Sequence, residues 1–527
     1  MPRRPAVPTL TALCLQNLAQ HMQSLWAKDY SDNYLDEYEF RFLVGPFNDL
    51  ACGLVQELLQ LLGRSRRLSR AALHLLLLPH LQQLSLQPCP ALANNALGHL
   101  IVLRCQGLSV LELSGCGRLS PAVLVDLAEG LPRLSRLGLA HTQTNIQVLS
   151  AVGSCCHRLR ELDVSGCKKV TPRALRHLGY DPVERRPGCP ALRVLLAREL
   201  EGDAVTAVAF LLLALPRLEV LAHGAVPDAL RLLRSGRLGG TEDSEGFPSL
   251  EELARSRGDS AEETPLMLAL RQLEEVEEDA LSAVHAVCPQ AEELSMWLGD
   301  NPNPSALREL PGWKCLSRLT LGCSGRHGRA LAELLPLAQG LGSRLRALTL
   351  HGFICQDPLS LPALLTSCSS LQSFSAELEV PPDPHDEPPE EEPPRWATDL
   401  LPRGMPRLQS FSLSLTSPVP AAHRPVLSST LASLLCQAPR LQSLRLLAVP
   451  FPLDSVLEPA LAGLQELQEL VLAQSRVSPG TVWQLLGSDG PLQRLDLSRC
   501  PDIHRRDYDG FLQAVRKQRL ELDITWE

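Results

Sequence analysis

The sequence predicts an α/β solenoid in which short parallel strands line a concave face and helices stand outside. Three observations carry that expectation. From Cys156 to Leu175, apolar residues stand at Leu159, Leu162 and Val164, with Cys167, Val170 and Leu175 beyond them. The same spacing occurs one unit earlier at Cys105, Leu108, Leu111, Leu113, Cys116, Leu119 and Leu124. The leading strand leucines Leu81, Leu108, Leu134 and Leu159 follow one another at steps of 27, 26 and 25 residues. L-x-x-L-x-L alternates too tightly for a helix and reads as a brief buried strand, whereas the residues after it carry helical spacing. Each unit is therefore strand, turn, helix, and a period of this length means stacked repeats.

Composition agrees with a narrow, leucine-lined core. Hydrophobic residues make up 45% of the 527 residues but aromatics only 4%. A stack in which each repeat packs on its neighbours can be this long without dividing into ordinary globules. The net charge of −9 is mild for the length and argues against nucleic acid or an anionic membrane as partner. Of the 16 cysteines, Cys89, Cys116, Cys167 and Cys500 fall in the turn after a strand. Cys105, Cys155, Cys156, Cys189, Cys288, Cys368 and Cys436 fall near helix ends. Small buried thiols suit such places. With no C-x-x-C pair and no histidines at zinc spacing, they read as reduced structural thiols of a cytoplasmic or nuclear protein, with no metal. The amino terminus lacks a secretory pattern, and no apolar run is long enough for a membrane span.

In chain order, residues 9–27 read as a helix with an apolar stripe of Leu10, Leu13, Cys14, Leu18, Met22 and Leu25, capped by Thr9. A polar, tyrosine-rich loop follows, then helices from Asn48 to Leu62 and from Ala71 to Leu78. This divides the chain into a helical region, 1–79, and the repeats, 80–527. Inserted loops are expected near 180–190, 234–264 and 381–399. The first carries Y-D-P-V-E-R-R-P-G. The second is Gly/Ser-rich and charged, with the beat resuming at Pro265, Ala291 and Leu316. The third, Pro381–Pro394, holds seven prolines and six acids and cannot bury a core. The last residues, L-E-L-D-I-T-W-E, read as a terminal strand.

The unit C-x-x-L-x-x-L-x-L-x-x-C-x-x-L-[ST], at Cys105–Ser120 and Cys156–Thr171, resembles the cysteine-containing leucine-rich repeats. That resemblance covers residues 80 to 525 and implies a horseshoe with a helical amino-terminal cap. Members of that family often serve as substrate receptors of ubiquitin ligases. Ahead of the repeats, T-L-T-A-L-C-L-Q-N-L (Thr9–Leu18) resembles the BC-box through which receptors dock on elongin C in cullin-RING ligases. The resemblance implies adaptor contacts for Thr9, Leu10, Cys14 and Leu18, with elongin C, elongin B and a cullin as partners. Helix-in-groove docking needs such an i, i+4, i+8 stripe. The same stripe could instead close the first repeat as a cap, in which case it would be buried rather than presented. A cullin-2 box does not follow in register: Leu50 and Leu54 stand one place too far from Pro46.

No phosphate-binding loop, zinc-protease motif or nucleophile elbow occurs, so no enzyme and no cofactor is expected. Binding has to come from the concave side, where the residues between the strand leucines point. Among them Trp297, Arg318, Arg346, Arg445 and Arg494 are the candidate contacts for a protein substrate, Trp297 with Arg318 and Arg346 as one patch. The plainer reading is a solvated face with the tryptophan tucked under an inserted loop. The expected function is substrate recognition in an elongin BC–cullin-RING ubiquitin ligase, and the alternative is a non-catalytic repeat scaffold or regulatory binding protein without a ligase.

Overall fold

Short strands form where the repeat leucines alternate, because successive strand side chains point to opposite faces. The computed structural model describes residues 8–28, 46–236, 246–257, 266–299, 304–323, 328–381, 405–416, 419–421, 423–461, 463–487 and 490–526. Backbone contacts divide the chain into two compact units, Pro8–Glu274 with Ala283–Pro289, and Glu275–Ser282 with Gln290–Glu527.

The first unit opens with α1 (Leu10–His21), continued by a wider π turn at Met22–Ala27, then α2 (Cys52–Arg64) and α3 (Arg70–Leu76). Its strands are β1 (Gln83–Ser85), β2 (Val110–Glu112), β3 (Arg136–Gly138), β4 (Glu161–Asp163), a side hairpin of β5 (Tyr180–Asp181) and β6 (Arg186–Pro187), then β7 (Val194–Leu196), β8 (Val220–Ala222) and β9 (Gln272–Glu277), whose first half belongs here. Outside the hairpin every ladder is parallel, in a register that sets Leu84, Leu111, Leu137, Leu162, Leu195 and Leu221 side by side. All six are buried. Parallel neighbours need a crossover, and the repeats supply helices for it, two of them between β8 and β9.

The second unit repeats the scheme with β10 (Glu293–Leu298), β11 (Arg318–Cys323), β12 (Arg329–Ala330), β13 (Ala347–Ile354), β14 (Ser373–Glu379), β15 (Ser410–Leu415), β16 (Ser443–Leu447), β17 (Glu469–Val471), β18 (Arg494–Asp496) and β19 (Asp523–Thr525). Leu294, Leu319, Leu348, Phe374, Phe411, Leu444, Leu470, Leu495 and Ile524 form its buried cross-strand row. The Phe374 and Phe411 rings stack with centroids 5.4 Å apart.

After six of the three-residue strands, β2, β3, β4, β7, β17 and β18, the chain turns through a residue in the left-handed region: Gly115, His141, Gly166, Glu199, Gln474 and Arg499 all have φ between 54° and 80°. In most of these turns a small donor comes next. The Cys167 thiol donates to the Leu139 carbonyl at 3.0 Å, and Cys500 donates to Leu472 at 3.0 Å. Hydroxyls fill the same slot elsewhere, Thr142 donating to Leu139 at 2.7 Å and Ser475 to Leu446 at 3.1 Å. Four helices of the first unit then start on side-chain caps: Asn94, Ser120, Asn145 and Thr171 each accept from the amide three residues on. All 16 cysteines are free thiols.

Three expectations change in detail. The helix over 9–27 is α-helical only to His21. The loop near 180–190 is a small antiparallel hairpin, its turn held by Asp181 accepting from the amides of Val183 and Glu184 at 3.0 and 3.2 Å. Within 234–264 the chain forms a helix, Leu250–Arg257, started by a reciprocal capping box between Ser249 and Glu252. Pro265 is outside the described residues, and the beat resumes instead at buried Leu270, Leu273 and Val276. Most of the tyrosine-rich stretch and of the acidic proline segment also lies outside the described residues.

Candidate functional site

Two surfaces hold the residues singled out by the sequence. On α1, Thr9 is the N-cap, its hydroxyl accepting from the Ala12 amide at 3.2 Å. The helix carries two apolar stripes. Leu15, Ala19 and Met22, spaced by four and three, are buried, and α1 packs against α2, whose Val55, Leu58 and Leu62 are buried too. Leu10 is 78% exposed, Leu13 and Leu25 are exposed, Cys14 is exposed, and Leu18 is half-buried. At 100° per residue, Leu10 and Cys14 lie 40° apart, whereas Leu15 and Ala19 lie on the opposite side. Trp26 in the π turn meets the buried Phe47 edge-on, centroids 5.7 Å apart. Of the expected stripe, then, Met22 anchors the helix while Leu10, Leu13, Cys14 and Leu25 face outward. The buried stripe Leu15–Ala19–Met22 has its own helical spacing in the sequence, which is the signal that separates the two faces.

On the strands, the non-leucine positions form cross-strand rows. In the second unit one row runs Glu293, Arg318, Ala347, Ser373, Ser410, Ser443, Glu469, Arg494. Its charges neutralise one another. Arg318 reaches Glu293 at 3.3 Å, Arg494 reaches Glu469 at 3.4 Å, and Arg445, from the next row, forks onto Glu469 at 3.0 Å. Burial works to raise the Glu469 carboxyl, but the Ser443 hydroxyl and the two guanidiniums outweigh it and hold it below the ordinary carboxylate range. The first unit has the same device: Arg136 pairs with Glu161, and Arg198 forks onto Glu274.

The expected patch of Trp297, Arg318 and Arg346 is not brought together. Arg318 pairs in register with Ala347, so Arg346 sits beside it at one edge of the sheet. Trp297 stands four residues past Glu293, about 13 Å along the strand, in a different row. That row is Trp297, Gly322, His351 and Glu377. Arg445 and Arg494, by contrast, do converge, on Glu469.

Among the described residues no group of His, Cys, Asp and Glu could hold a metal ion, and no helix is long and apolar enough to cross a membrane. A cavity of about 550 Å³ is lined by Leu307, Pro311, Pro336 and Arg329, but that arginine is clamped between Glu278 and Glu333 at 2.5 and 3.0 Å.

The parallel leucine ladders, left-handed turns and outer helices define each unit as a leucine-rich-repeat array. No family model matches the chain, and no curated protein matches it in sequence. Among solved structures it is similar to a chain in the crystal structure of the Rad7 and Elc1 complex in yeast, 14% identical over 95% of this chain and 96% of that one, with a TM-score of 0.40.

Proposed function

We propose that this protein is a substrate-recognition subunit of a cullin-RING ubiquitin ligase, docked on an elongin C-type adaptor through α1 and binding protein substrates on its repeats. The observation that supports this reading is the division of α1 into two faces. Leu15, Ala19 and Met22 fasten the helix, so Leu10 and Cys14 are not needed to close the core and stay exposed. An exposed leucine with a small thiol one turn away fits a helix that inserts its apolar edge into a groove. Such a receptor performs no chemistry; it acts by holding a substrate near the transferring enzyme, a proximity effect. Half-buried Leu18 favours the second reading, a scaffold with no ligase attached, because it leans toward the core rather than a partner.

The test is co-purification with elongins B and C. Leu10→Ser with Cys14→Ser should abolish capture while leaving the melting temperature within about 2 °C, since exposed substitutions typically change stability by under about 0.5 kcal/mol. Capture of elongins B and C that is equal with and without the substitutions would refute the assignment.

A further inference from the structure

Trp297 lies across its neighbouring strand rather than standing off it. The residue opposite is Gly322, and a Cβ there would collide with Cε3 and Cζ3 of the indole and come within 2.9 Å of Cη2. Gly322 is thus a matter of room, and the benzo ring occupies the room it leaves. Trp297 is 43% exposed, a large apolar side chain held in one place on a mostly polar face of the second unit's sheet.

The next residues in the row are His351 and Glu377, on β13 and β14. Glu377 leans back over its neighbour, its carboxylate 3.5 Å from Nδ1 of His351, with its side chain 51% exposed. Strands lie about 4.8 Å apart, so that carboxylate stands roughly 5–10 Å from the ring over β11. Glu379, two residues on, is exposed as well. Of the described arginines on the other rows, Arg318 is paired with Glu293, and Arg445 and Arg494 with Glu469. What the row offers is an aromatic face with a carboxylate within an arginine's reach of it.

We propose that Trp297, seated over Gly322 and flanked by Glu377, receives a cationic side chain, an arginine or lysine in a basic segment of a partner protein. The guanidinium or ammonium lies on the indole face, where the ring quadrupole attracts it, and its donors turn to Glu377. This assigns the site a partner of positive charge. It also stands whether or not α1 docks on an adaptor.

The test is calorimetric titration of the full chain with the hexapeptide Arg-Gly-Arg-Gly-Arg-Gly, against its Glu-Gly and Gln-Gly counterparts, at low and at moderate salt. The arginine peptide should bind and the other two should not. Trp297→Ala should weaken binding about tenfold, an amount in keeping with a cation–π contact plus lost packing. Glu377→Gln, which leaves the packing intact and guards against a Trp297→Ala that misfolds, should weaken it several-fold and flatten the salt dependence. Asp126→Asn, on a helix of the other unit, should change nothing. Equal binding of the acidic or neutral peptide, unchanged affinity in both site variants, or a loss from Asp126→Asn matching that from Glu377→Gln would overturn the proposal, the last by making the attraction diffuse charge.

Discussion

The slot held by Cys167 and Cys500 is filled by Thr142 and Ser475 in other repeats, and in all four the side chain donates to a backbone carbonyl of its own or the preceding repeat. The preceding residue's left-handed conformation aims the chain so that this donor points inward. Sequence reading finds the cysteines by their spacing; it does not find Thr142 and Ser475, because no period marks a hydroxyl as the equivalent of a thiol. Burial also suppresses ionisation of the cysteines that close the repeat helices. It pushes Cys105, Cys156, Cys288 and Cys368 up to about 12, from an ordinary value of 9.0. Between pH 9 and 12 the folded chain therefore keeps protons that the unfolded chain has lost, and stability falls as pH rises through that window, by up to about 1.4 kcal/mol per unit for each such thiol. Urea midpoints should drop steeply above pH 9. Iodoacetamide at pH 8 should label Cys14, Cys315 and Cys436, which are exposed, and reach the four buried thiols only after denaturation.

At the scale of single helices and strands, most boundaries are written in local chemistry. Asn145 accepts from the Val148 amide at 3.2 Å and so begins the helix Ile146–Cys155. Asn145→Ala should lower the unfolding free energy by about 1 kcal/mol, measured by chemical denaturation, whereas Asn145→Ser should largely preserve it. The helix Leu250–Arg257 has an equally clear start, since Ser249 and Glu252 stand at capping-box spacing. The charged, Gly- and Ser-rich composition around it points the other way, and composition says nothing about a cap. In α1 a single-stripe reading merges two faces: Leu15, Ala19 and Met22 pack, and the more conspicuous leucines Leu10, Leu13 and Leu25 do not. Periodicity reveals that both stripes exist; only packing against α2 decides which is spent on the fold.

Across each whole unit, the repeat period was enough to foresee the parallel ladders, because most strands set a leucine beside the apolar residue of the next. The composition of the outward rows was less legible. Arg318 stands two residues after Leu316 but Arg346 only one after Leu345, a difference that register converts into adjacent rows rather than a shared one. The carboxyl-terminal repeat has a feature of its own. Its last strand, β19, pairs with β18 on one side, and Trp526 fastens it by stacking on Tyr508 and donating to the Ile503 carbonyl at 3.2 Å. Cutting the chain before Leu520 would strip that selvedge away and leave the β18 amides and carbonyls that face β19 without their mates, an open seam onto which a second molecule could knit. Such a truncation should elute from a sizing column as concentration-dependent multimers, with the intact chain as the reference for its unspliced size.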